Sequence, residues 1–170
     1  MKIITNLDNI FNKIVDTMAW IGGLILVLAM LSINLEIVMR YFFNRPQIWV
    51  NELTSESLLF ITFLGAAWVL RNDSHVNVDM LIAQLNQRTQ IIINIITSFI
   101  AVILFFIITW ISASVTWQQY QGGYYNPTFL EIPSAFILFI IPVGSFVLFI
   151  QLIKRTIGYI KLLKGLKKSH

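Results

Sequence analysis

The sequence predicts an all-α membrane protein: four transmembrane helices, an N-terminal amphipathic interfacial helix and a basic amphipathic C-terminal tail. Three observations predict it. Of the 170 residues, 57% are hydrophobic and 12% charged, with a mean hydropathy of +0.77. A soluble domain carries about 25% charged residues, so water would not hold this much apolar surface, whereas a bilayer does. Four runs, at about 17–39, 53–70, 91–117 and 132–153, approach or exceed the roughly 20 residues needed to cross a bilayer. Aromatic residues make up 14% of the chain, and several sit where those runs meet the headgroups.

The length fits one integral membrane domain over 1–170, with no separate soluble domain. The chain has no cysteine, which excludes disulfides, thiol chemistry and iron–sulfur clusters. The net charge of +4 comes largely from the C-terminal tail, beside an apolar run. It is therefore a topology signal and not a sign of nucleic-acid binding.

The N-terminal segment, about 2–16, places Ile3, Ile4, Leu7, Ile10, Phe11 and Ile14 at helical spacing, with Lys2, Asn6, Asp8, Asn9 and Lys13 on the other face. Such a two-sided helix is expected to lie in the membrane interface. From Thr17 to Met39 the pattern becomes apolar all round, and no small-residue cleavage site follows it, so an uncleaved span is expected. Asn34 and Glu36 interrupt its far end. Arg40 follows Glu36 by one turn, the order in which the pair is favourable. The alternative for a carboxylate at this depth is a partner contact or a proton site.

A short loop with Asn44, Arg45 and Pro46 leads to Trp49, placed as an interfacial anchor. Asn51 is the expected N-cap of the second span, with Glu52 in its first turn, where the helix dipole favours a carboxylate, and Glu56 one turn later. These acids read either as capping and solvation or as an acidic docking patch. Gly65, Ala66 and Ala67 form a thin stripe where another helix can approach closely. Asn72 and Asp73 stop the helix, and Val78, Leu81, Ile82 and Leu85 space as a short surface helix.

The third span ends near Trp110 and Trp117. The loop over 118–131 holds Gly122, Gly123, Tyr124, Tyr125 and Pro127 and no Lys or Arg. Pro133 is expected at an early position of the fourth span, where it is tolerated, and Pro142 is expected to kink that span. A tail with Lys154, Arg155, Lys161, Lys164, Lys167 and Lys168 closes the chain.

Four spans put both termini on one side. That side carries ten basic residues: Lys2, Lys13, Arg71, Arg88, Lys154, Arg155, Lys161, Lys164, Lys167 and Lys168. The opposite loops carry Arg40 and Arg45 alone. By the positive-inside rule both termini are cytoplasmic, the Trp49–Glu56 rim faces outward and the Arg71–Asp79 rim faces inward. The histidines, His75 and His170, do not form a haem or metal-ligand pattern, so no cofactor is expected. His75 reads as a helix-end or loop hydrogen-bonding residue. No phosphate loop and no nucleophile–base pair is present, so an enzyme is not expected. The middle of the spans is nearly uniformly apolar apart from Pro142, which argues for a scaffold over a carrier with its own site.

Arg40-Tyr41, Trp49-x-x-Glu52, Phe63-Leu64-Gly65-Ala66-Ala67, Arg71 and His75-Val76-x-Val78-Asp79, in that order, resemble the small membrane subunit of tripartite ATP-independent periplasmic (TRAP) transporters, the DctQ-like family. The resemblance covers nearly the whole chain. One departure is Asn51, where the family often has an acid. The resemblance implies a small permease subunit in the bacterial inner membrane. It implies a heterodimer with a large multi-span permease subunit, and a periplasmic substrate-binding protein that delivers an organic acid (a dicarboxylate, keto acid or sialic acid) for sodium-driven symport. On this reading Glu36, Arg40, Trp49, Glu52, Glu56, Gly65, Arg71, His75 and Asp79 are candidate partner-contact or structural residues. Membrane lipids are the other expected partner. The alternative is a small dimeric four-helix proton-coupled exporter using Glu36.

Overall fold

The computed structural model of the protein describes residues 2–72, 87–126 and 130–168. Helix α1 runs Lys2–Phe43, α2 Ile48–Arg71, α3 Gln87–Gly122, α4 Ser134–Leu138 and α5 Ile140–Lys168. Among the described residues, four segments are long and apolar enough to cross a membrane: one each in α1, α2 and α3, and one formed by α4 and α5 together.

The helices lie in the order α1, α2, α5, α3, with the short α4 continuing α5 against α3. α1 packs on α2, α2 on α5 and α5 on α3, and no comparable contact joins α1 to α3 among the described residues. The result is an open layer with α1 and α3 at its edges. Trp20 on α1 is 82% exposed and Trp110 on α3 is 72% exposed. Such side chains are stable outward only in lipid or against a partner.

The core sits where α1, α2 and α5 meet. Val15 and Met18 of α1 are buried against Leu64, Ala67 and Leu70 of α2 and Val147, Leu148 and Leu152 of α5. This alters the expected N-terminal element. The amphipathic segment is not a separate interfacial helix, because α1 is continuous for 42 residues. That is about 63 Å at 1.5 Å per residue, twice a roughly 30 Å hydrocarbon core. Part of its apolar stripe is covered by protein: Phe11 packs on the core, while Ile10 and Ile14 stay exposed.

Three other boundaries differ from expectation. α2 begins at Ile48 with Gln47 as its N-cap, so Asn51 lies inside the helix and does not cap it. Pro133 precedes α4 as its N-cap residue and is not inside the helix. The break in the fourth span falls at Phe139, between α4 and α5. Pro142 has no N–H for the carbonyl four residues earlier, at Leu138, so the break sits one turn before the proline. The basic tail continues α5 without interruption to Lys168. Asn72 is the C-cap of α2, as expected. The expected surface helix around Val78–Leu85 and the residues His75 and Asp79 lie outside the described residues.

α5 approaches α2 closely at Gly144. A methyl group there would come within 2.6 Å of Phe63 Cβ and 2.9 Å of the Phe63 carbonyl oxygen on α2. Gly65, the expected close-packing residue, has open space where its side chain would be. The stripe holds only in part: Ala67 is fully buried in the core, while Gly65 borders grooves on both faces of α2.

Candidate functional site

Polar side chains gather at the two ends of the layer. At the Arg71 end, Arg71 Nη1 donates to the Asn12 carbonyl at 3.2 Å, and Nη2 forms an ion pair with Asp16. Asn12 and Asp16 are one turn apart on α1, so one guanidinium fork holds both and ties the end of α2 to α1. Lys154 of α5 reaches Asp8 of α1 at 2.9 Å and lies 4.7 Å over the Phe11 ring. Arg155 Nε and Nη2 donate to the Tyr159 hydroxyl at 3.3 and 3.2 Å. The sequence places Arg71 on the inward rim at the end of the second span. Its described partners are on α1. Asp16 and Asp8 were missed as partners, although topology alone puts them at the same membrane face as Arg71 and Lys154.

At the Trp49 end, α3 closes on Gly123, whose φ of +60° suits glycine. Gly123 N–H donates to the Tyr120 carbonyl and Tyr124 N–H to the Gln119 carbonyl, the paired bonds of a Schellman ending. The chain then folds back as a short hairpin. Tyr125 pairs with Pro133, Asn126 N–H donates to the Ile132 carbonyl and Ser134 N–H to the Tyr124 carbonyl, both at 3.0 Å. Two carboxylates of α2 clasp it. Glu56 Oε1 accepts from Asn126 Nδ2 at 3.1 Å, and Glu52 Oε2 accepts from the Leu130 N–H at 3.1 Å. Glu52 and Glu56 are four apart, hence on one face of α2, and that face is turned to the hairpin.

The geometry gives this acidic pair a structural role in holding the hairpin. The acids do not cap α2, whose first turn holds no acid, and a described loop donor engages each of them. What the clasp presents outward is aromatic: Tyr124 and Tyr125 are well exposed. Trp49 is half-buried, its Nε1 donating to Gln47 Oε1 at 3.0 Å.

Glu36 and Arg40 pair within α1 at 3.4 Å, with Glu36 buried and Arg40 half-exposed. A buried carboxylate is stable there because its partner is one turn away. Arg40 also lies 5.7 Å from the centre of the Tyr41 ring. Tyr41, Phe42 and Phe43 are all strongly exposed, an aromatic tip suited to headgroup depth. Among the described residues, no three of His, Cys, Asp and Glu come together to hold a metal. Five of the described candidate residues thus fall in three local constellations: Glu36–Arg40, Glu52–Glu56 with the hairpin, and Arg71 with α1, while Trp49 bonds Gln47 and Gly65 borders grooves.

Apolar edges, a small core and polar ties at the two ends define a small multi-span membrane protein. The chain belongs to the DctQ family: residues 29–162 match the family described as tripartite ATP-independent periplasmic transporters, DctQ component. It is 24% identical to the sialic acid TRAP transporter small permease protein SiaQ of Vibrio cholerae, over 99% of this chain and 90% of that one. It is 29% identical to a Haemophilus influenzae protein assigned as a TRAP transporter small permease protein, over 57% of this chain and 58% of that one. With the family shown, the exporter reading of Glu36 gives way to a transporter-subunit reading.

Proposed function

We propose that this protein is the stationary scaffold subunit of a sodium-driven, binding-protein-dependent transporter for an organic acid, bound to a large multi-span subunit that moves the substrate. The observation that carries the reading is the open layer. Two of its four helices offer long apolar edges, and the described ion pairs and the clasped hairpin lie toward its ends. Such a body widens and anchors a larger assembly and has no translocation site of its own. The organic-acid class is favoured by the SiaQ relative, whose name gives sialic acid as its substrate.

The orientation proposed is both termini in the cytoplasm of a bacterium, with the protein in the inner membrane. The ten-to-two charge count supports it, and it places the Arg71 end inside and the hairpin clasp outside. On this reading the exposed Tyr124 and Tyr125 rim faces the soluble binding protein. Purification through an affinity tag on this chain is expected to bring down a large, strongly hydrophobic partner. Vesicles holding this chain alone are expected to show no uptake, and substrate-dependent uptake in them would reject the scaffold role.

A further inference from the structure

We infer that the outward face of the α5 tail is a binding site for anionic phospholipid headgroups, with Lys161 and Lys164 receiving the phosphate. The inference needs only that the chain spans a bilayer, and it does not rest on the scaffold role. Ile157, Ile160, Lys161 and Lys164 are spaced i, i+3, i+4 and i+7, so they share one face of α5. All four are exposed.

The basic segment of α5 divides in two. Lys154 is held by Asp8 and the Phe11 ring of α1, and Arg155 is bonded to Tyr159, so the first basic turn is engaged within the protein. Lys161 and Lys164 have no described partner. No acid stands near them in sequence either: the stretch from Leu152 to Lys168 holds no Asp or Glu, and neither do the first two turns of α3.

Depth selects the occupant. α3 and α5 run antiparallel, with the rings of Phe106 and Phe149 5.8 Å apart. Lys161 and Lys164 lie twelve and fifteen residues beyond Phe149, about 18 and 23 Å along the helix. The same distances from Phe106 along α3 reach Asn94 and Ile91. There the polar turn Gln87–Gln90 gives way to the apolar run that starts at Ile91. The lysines therefore stand at the edge of the hydrocarbon, and Ile157 and Ile160, on the span side of them, meet the acyl chains. Water would leave the isoleucines bare, and hydrocarbon would strand the lysines; the headgroup layer suits both. An acidic soluble protein would match the lysines and not the isoleucines. Charge then selects among lipids: two ammonium groups with no acid beside them favour a headgroup of net negative charge over a zwitterionic one.

The test uses the full chain, alone and in its assembled complex, in phosphatidylcholine vesicles containing a minor share of phosphatidylglycerol. Ile153→Cys, one turn before Ile157 on the same face, takes a bimane label, and the chain has no other cysteine to compete. Either lipid is brominated on its acyl chains to quench the label. Brominated phosphatidylglycerol should quench as if enriched about fivefold over phosphatidylcholine, equal to about 1 kcal/mol. Lys161→Gln with Lys164→Gln should abolish the enrichment. Lys161→Arg with Lys164→Arg should keep it, which separates charge from helix integrity, and Lys154→Gln should keep most of it. Raising the salt concentration should weaken it. Equal quenching by the two lipids in the unaltered chain would overturn the site. So would enrichment that survives the double glutamine variant, which would put the anion elsewhere. Enrichment lost in the assembled complex would also overturn it, because a protein segment would then cover the face.

Discussion

The two ends of this helical layer are tied by different chemistry. At the Arg71 end the bonds run between helices and are charge to charge: Arg71 with Asp16, Lys154 with Asp8. At the Trp49 end they run from a helix to a loop, and carboxylates accept from neutral donors: Glu52 from a backbone N–H, Glu56 from the Asn126 amide. The first kind fixes how α1, α2 and α5 stand relative to one another. The second shapes a loop without binding helices together. A body held rigid at one end and bearing a shaped loop at the other suits a scaffold that must stay still in the bilayer and present one surface outside it.

The comparison breaks most completely through the crossing that both ends share. Gly144→Leu drives a side chain into Phe63 of α2, and should cost about 3 kcal/mol. Thermal unfolding in detergent should show a lower midpoint and loosening at both ends together. Glu52→Ala should act at one end alone. The Leu130 amide should exchange about tenfold faster, equal to about 1.4 kcal/mol of lost protection, with the unfolding midpoint nearly unchanged.

Arg71→Met should do the reverse. It leaves the Leu130 amide protected and lowers global stability by about 1 kcal/mol, a value held down because Asp16 is half-exposed. Lys154→Met should have the smallest effect, about 0.5 kcal/mol, since Asp8 is half-exposed and a methionine keeps the apolar contact with Phe11. Raising the salt concentration should shrink the difference between Lys154→Met and the unaltered chain, because the lost pair is open to solvent.

The spans and the class of the protein were legible because they depend on composition and run length, which are local properties. The break near Pro142 was legible for the same reason: a missing N–H acts on its own helix. What the sequence hid was which residues meet across helices. Gly65 looks suited to close packing from the sequence, and only the rotation of α2 against α5 puts a close approach at Gly144. Glu52 and Glu56 read as a cap or a patch because their described partners, Leu130 and Asn126, are 78 and 70 residues away. Asn51 read as a cap because the helix start was taken from the apolar run, while the backbone turns helical at Ile48, in the Trp-bearing segment before it. The partner of Arg71 could be found only once α1 was known to continue unbroken past the membrane core.

The scaffold reading stands on the open order α1, α2, α5, α3. The chain has no native cysteine, so engineered pairs report on it cleanly. Cysteines at Gly22 and Leu64 test the α1–α2 contact, where a Cβ at 22 would lie 3.4 Å from Leu64 Cβ. Cysteines at Val27 and Ile108 test whether the two exposed edges, on α1 and α3, ever meet. Under mild oxidation of the monomer in detergent, Gly22→Cys with Leu64→Cys should cross-link readily and Val27→Cys with Ile108→Cys should not. Efficient cross-linking of the second pair within one chain would mean a closed four-helix bundle, and would contradict the open layer on which the account rests.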